Sequence, residues 1–205
     1  MEMKRLPIVS FLSIIASCIY VAFTLVAILY YPQPYSPLTN WLSDFGNPVQ
    51  NPTGALYYNT GGILTSAVLI VFFAGMNKWN IGDKKMKVFL MLSQISGIVF
   101  AFSFIMSAVF PLGVNDAVHS SFSIMLFIFI GCFEIFSASA IRRNPSRIRW
   151  VPYFGFIAAM INFAFGISFN FANLFIGEWI MIGLFIAYII TLTITQNRPE
   201  KKLNY

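Results

Sequence analysis

An all-α integral membrane protein, a six-helix transmembrane bundle with a short outer interfacial helix, is what this sequence predicts, on three observations. Charged residues make up 10% of the 205, against about a quarter in a soluble domain, while 58% are hydrophobic. Six apolar runs reach the ~20 residues that a helix needs to cross the hydrocarbon core. The 13 Lys and Arg gather at the chain ends and in alternate connections, the pattern expected of cytoplasmic segments.

The runs lie at about 7–31, 57–77, 87–110, 118–141, 150–170 and 174–196, in a single transmembrane domain with an outer loop at 32–56. Lys4 and Arg5 precede the first run, which is too long for a signal-peptide core and lacks a small-x-small cleavage site, so it is read as a retained span. Lys78, Lys84, Lys85 and Lys87 follow the second run, and Arg142, Arg143, Arg147 and Arg149 follow the fourth. Asn170 and Asn173 leave only a tight turn between the fifth and sixth, and Arg198, Lys201 and Lys202 follow the last. The other connections carry no basic residue. A cell membrane with both termini in the cytoplasm is therefore expected, and loop 32–56 then faces outward.

The net charge of +6 does not point to nucleic acid, because the basic residues sit between apolar runs rather than on one water-exposed face. They orient the chain, and they can also recognise anionic lipid heads. Cys18 and Cys132 fall inside apolar runs, which predicts two buried free thiols and no disulfide. Small residues at Gly62 and Ser66, and at Gly97 and Ala101, mark faces where helices approach closely. The second half has no counterpart of the long loop, so one bundle is expected rather than an inverted repeat.

The longest stretch unsuited to a membrane is 36–52, SPLTNWLSDFGNPVQNP. Leu38, Trp41, Leu42 and Phe45 recur at i, i+3, i+4 and i+7, which predicts a helix lying flat on the outer surface. Thr39, Asn40, Ser43 and Asp44 fall on its polar face. Ser36 suits the N-cap, Pro37 the first turn and Gly46 the C-terminal stop.

Ionisable groups within the spans are informative, because one at the bilayer centre costs on the order of 3 kcal/mol. Glu134 lies roughly 10 Å from the inner end of its span at the helical rise, level with Ser13, Ser93 and Gln94. That group reads either as an intramembrane polar cluster around a protonated Glu or as a proton or cation site. Glu178 enters the sixth span roughly 6 Å below the outer surface. Near that level come Asn59, Ser107, His119, Ser120, Ser123 and Asn170, with Asp116 just before the fourth span and Asp44 in the loop. These read as caps, as a site for a lipid headgroup, small ligand or cation, or as catalytic groups. In the catalytic reading Asp44 and His119 are acid and base, Asp116 orients the imidazole and Ser43 or Ser120 supplies a hydroxyl. A single His, with both Cys nearer the other side, excludes a catalytic zinc, and no cofactor motif is present. Membrane lipids are the expected partners; nucleic acid is not.

The run from Leu42 through Ser43, Asp44 and Phe45 to Gly46, followed by Asn51-Pro52 and Asn59 and later by His119-Ser120, resembles the membrane proteins grouped as domain of unknown function 998. The resemblance covers nearly the whole chain and implies about six spans with no established activity. A binding module at the outer end is the functional expectation. An intramembrane enzyme acting on an outer-leaflet lipid is one alternative, and a small secondary transporter coupled through Glu134 and Glu178 is another.

Overall fold

With no water in the bilayer core, a spanning segment must satisfy its own backbone hydrogen bonds, and helices do so. The chain forms α1 (Ile8–Leu29), α2 (Gly54–Gly75), α3 (Lys84–Val109), α4 (Asp116–Ile141), α5 (Val151–Ser168) and α6 (Phe175–Gln196). All six are long and apolar enough to cross a membrane. The computed structural model describes residues 8–168 and 174–196, with side chains from Phe11 onward. Asn170, Asn173, Lys4, Arg5, Arg198, Lys201 and Lys202 lie outside the described residues.

Local capping sets the helix ends. α2 begins before the expected position 57 because Asn51 Oδ1 accepts from the N–H of Gly54 at 3.1 Å. Asp83 caps α3 through Met86 N at 2.8 Å, and Asn115 caps α4 through Val118 N at 3.2 Å. The turn into α4 needs Gly113, at φ 80°, whose N–H donates to Asp116 Oδ1 at 2.6 Å.

Each helix packs on its sequence neighbours, and α6 returns to touch α1 and α4, closing a ring. Close approach rather than greasiness decides which face turns inward, since lipid tails are as apolar as Leu. α1 accordingly buries Ser13, Ala16, Ser17, Tyr20, Thr24 and Ala27, and turns Phe11, Ile14, Ile15, Val21 and Leu25 outward. Cys18 falls on the outward side and Cys132 is half-buried. The expectation of two buried thiols is thus corrected, because an apolar run in a membrane helix says nothing about which face is inside. Rings fill glycine notches on facing helices: Phe23 on Gly61, Phe73 on Gly97, Phe163 on Gly131 and Tyr188 on Gly155. The middle of the bundle is aromatic, with ring centroids 4.8 Å apart for Phe100 and Phe185 and 5.0 Å for Phe73 and Phe133.

The loop at 32–56 departs from its expected helix. Thr39 N and Asn40 N both turn back to Ser36 O, Trp41 is extended at ψ 148°, and only Leu42–Gly46 is helical, as a 3-10 turn. Short polar side chains compete for the backbone here. Asn40 Oδ1 accepts from Ser36 N at 3.3 Å and from Thr39 Oγ1 at 3.0 Å, while Asp44 Oδ2 accepts from Trp41 N at 2.9 Å. The break separates Leu38, 71% exposed, from Leu42 and Phe45, which are buried. Instead of lying flat, Leu42–Gly46 sinks between α1, α2 and α6 as a plug. Phe45 stacks on Tyr35 at 4.2 Å and meets Tyr31, Tyr58 and Trp179. Tyr35 OH donates to Trp41 O at 2.9 Å and accepts from Trp179 Nε1 at the same distance.

Candidate functional site

The plug carries Ser43 to α6. Its N–H donates to Glu178 Oε2 at 3.0 Å and its hydroxyl to Oε1 at 3.3 Å, so the buried carboxylate and the plug secure each other. On the other side, α4 presents His119. Its Nδ1 lies 2.9 Å from Ser107 O and 3.1 Å from Phe110 O. Both partners are carbonyl oxygens and can only accept, so Nδ1 carries the hydrogen and Nε2 of the neutral ring is an acceptor. Nε2 is buried and has no partner.

His119, Glu178, Ser43, Asn59, Ser107 and Ser123 line one cavity of about 40 Å³, floored by Tyr20 and Tyr58, whose hydroxyls are 3.0 Å apart. A water needs about 10–15 Å³ of such space, so the cavity takes a small polar group or a few waters. Asn59 Nδ2 is committed to Gly46 O at 2.8 Å. No Lys or Arg lines the space. Beside hydroxyls that can donate or accept, it offers the Nε2 lone pair of His119, which a hydrogen-bond donor complements.

Of the residues expected at the outer end, the fold thus assembles Ser43, Asn59, His119 and Glu178, with Ser107 and Ser123. Asp44 is 6% exposed but does not line the cavity. Burial pushes its carboxyl above the usual range, opposed by hydrogen bonds from Trp41 N–H and the Asn40 side chain. Asp116 is held by the turn before α4, Asn40 by the turn at Ser36, and Ser120 is half-buried away from the cavity. Asn170 lies outside the described residues. Tyr20 and Tyr58 were missed by sequence reasoning.

Of the inner residues, Ser13, Gln94 and Glu134 each have a partner on another helix. Glu134 Oε2 accepts from Asn162 Nδ2 at 2.7 Å, Ser13 and Thr193 hydroxyls meet at 3.0 Å, and Gln94 Nε2 donates to Ala74 O at 2.9 Å. Depth was readable from helical rise, but the rotation that selects a partner was not. Phe185 lies between the levels of Glu178 and Tyr188 on α6 and packs on Phe100 and Phe133, so rings occupy the core between the two glutamates. Among the described residues, no three of His, Cys, Asp and Glu come together as a metal site.

A family model described as Protein of unknown function (DUF998) matches residues 14–195. The chain belongs to the DUF998 family. The DUF998 match runs from α1 to the end of α6 and so contains the plug and every residue of the cavity. This DUF998 protein is a multi-pass membrane protein. No curated protein and no solved structure matches it.

Proposed function

We propose that this protein sits in the cell membrane with its basic end in the cytoplasm, and that the cavity under the plug binds a small hydrogen-bond-donating group. The class is the hydroxyl or ammonium of a lipid headgroup or of a small polar molecule. The observation that carries the reading is the buried, unpartnered Nε2 of His119. Leaving such an acceptor without a donor costs about 1–3 kcal/mol, and a bound donor removes that cost. Glu178 and Ser43, which line the same cavity, favour a positively charged or multiply donating occupant.

His119 is the chain's only histidine, so nitrogen NMR of histidine-labelled protein reports this site alone. In nanodiscs of phosphatidylcholine, which has no donor in its headgroup, Nε2 resonates as an unprotonated acceptor. Replacing part of the lipid by phosphatidylethanolamine is expected to shift Nε2 upfield, and Glu178→Gln is expected to weaken that response. Free ethanolamine forms the second arm: a shift with it alone assigns the site to a soluble amine. An Nε2 signal indifferent to lipid, free amine and glycerol would overturn the reading and leave the cavity to water.

The free lone pair of His119 is also what a general base requires, which supports hydrolysis of an outer-leaflet lipid as a second reading. Ser43 donates to Glu178 rather than to His119, so an activated water is the better nucleophile in it. The rings between Glu134 and Glu178 weigh against transport.

A further inference from the structure

We propose a second, independent site at the opposite end of the bundle: a cleft among α3, α4 and α5 that binds the phosphate of an anionic phospholipid. The cleft has a volume of about 460 Å³ and is lined by Asp83, Phe89, Ser139, Arg142, Arg143 and Phe156. That volume is in the range of small-molecule sites, about 300–1,000 Å³.

Its two arginines differ in freedom. Arg143 is clamped, its Nε and Nη2 each 2.8 Å from a different oxygen of Asp83. Among the described residues Arg142 makes no ion pair and is exposed. The lining therefore carries one uncompensated positive charge, beside a hydroxyl at Ser139 and the exposed Lys84, Lys85 and Lys87 on the first turn of α3. A guanidinium fork with a neighbouring hydroxyl matches the oxygens of a phosphate. The clamp on Arg143 fixes the edge of the cleft without adding to the free charge.

The remaining walls distinguish a lipid from a soluble anion. Phe89 and Phe156 stand beside the charged groups. One turn further along the same faces the side chains stay apolar, with Leu92 half-buried on α3 and Met160 exposed on α5. Ser139 sits in the last turn of α4, at the level where the apolar belt gives way to the basic end. The half-exposed Trp150 near the start of α5 suits the same headgroup level. A phosphate at Arg142 thus leaves its acyl chains against rings and aliphatic side chains.

The test uses the full chain in phosphatidylcholine nanodiscs doped with phosphatidylglycerol, with native mass spectrometry counting retained anionic lipid. Arg142→Gln leaves the Asp83–Arg143 clamp intact and is expected to lower retention about fivefold, the share of one basic residue near a membrane surface. Ser139→Trp, which fills the cleft, is expected to do the same while the clamp and all charges remain. Arg149→Gln, away from the cleft, is the control for overall charge and is expected to retain lipid normally. Equal losses in Arg142→Gln and Arg149→Gln would overturn the proposal in favour of diffuse attraction. Displacement of the lipid by millimolar inorganic phosphate would also overturn it, assigning the cleft to a soluble anion.

Discussion

Asn51 shows how much one buried amide can organise. Its Nδ2 donates to Ala27 O at 3.1 Å and Phe45 O at 3.0 Å, and its Oδ1 accepts from Gly54 N at 3.1 Å. The end of α1, the plug and the start of α2 are thereby tied through a side chain that is fully buried. Asn51→Leu strands these partners at about 1 kcal/mol each, so a loss of roughly 3 kcal/mol is expected in denaturation of the detergent-solubilised protein. Asn51→Asp, which turns a carboxylate oxygen against the carbonyls of Ala27 and Phe45 at a fully buried position, is expected to destabilise at least as much. Asn51 and Asn59 were legible as marks of a family resemblance, and the structure supplies their reason: they satisfy the successive carbonyls of Phe45 and Gly46. Asp44 was legible as a polar-face residue and a candidate acid, but its burial was not, because that depends on Trp41 interrupting the helix.

The elements are joined by a few polar clamps at their ends. At the basic end, Asp83 caps α3 and holds Arg143 beyond α4. The Arg143 hydrogen bonds, reinforced by the backbone of Met86, hold its carboxyl down at about 2. A depressed carboxylate contributes stability above its unfolded pKa, and that contribution is lost as pH falls through the folded value. Thermal unfolding followed by tryptophan fluorescence is therefore expected to show a destabilisation of the parent protein from about pH 4 down to about pH 2 that exceeds the one in Asp83→Asn. Identical pH profiles would show that the clamp is silent in water. The clamp joins loops separated by an entire hairpin, and neither its distance nor its partner is readable from charge placement. Of the caps, Asp116 was legible as one, and Asn115 and Gly113 beside it carry residue types that such turns demand.

The bundle as a unit separates two chemistries along its axis: a plugged end with carboxylates and amides, and an end bearing the lysines and arginines of the α2–α3 and α4–α5 connections. Side-specific labelling tests which end faces the cytoplasm. In a background lacking Cys18 and Cys132, Val49→Cys, at a position 73% exposed in the loop between α1 and α2, is expected to react with an impermeant maleimide in intact cells. Lys85→Cys is expected to react only after permeabilisation. The reverse pattern would invert the proposed orientation and place the histidine cavity on the cytoplasmic side.

Span number and approximate limits followed from the sequence alone, because the hydrocarbon core demands a fixed length of apolar helix and an internally bonded backbone. Depth followed as well, since helical rise places Glu178 and His119 near one end and Glu134 near the other. Only the tertiary structure decided rotation and closure. Rotation put Cys18 outside and paired Glu134 with Asn162, because contact with a neighbouring helix, rather than any property of the residue itself, chooses the buried face. Closure turned a stretch that reads as an amphipathic surface helix into a plug. There the competition of Asn40 and Asp44 for backbone donors, and the cage of rings around Phe45, outweighed the helical period.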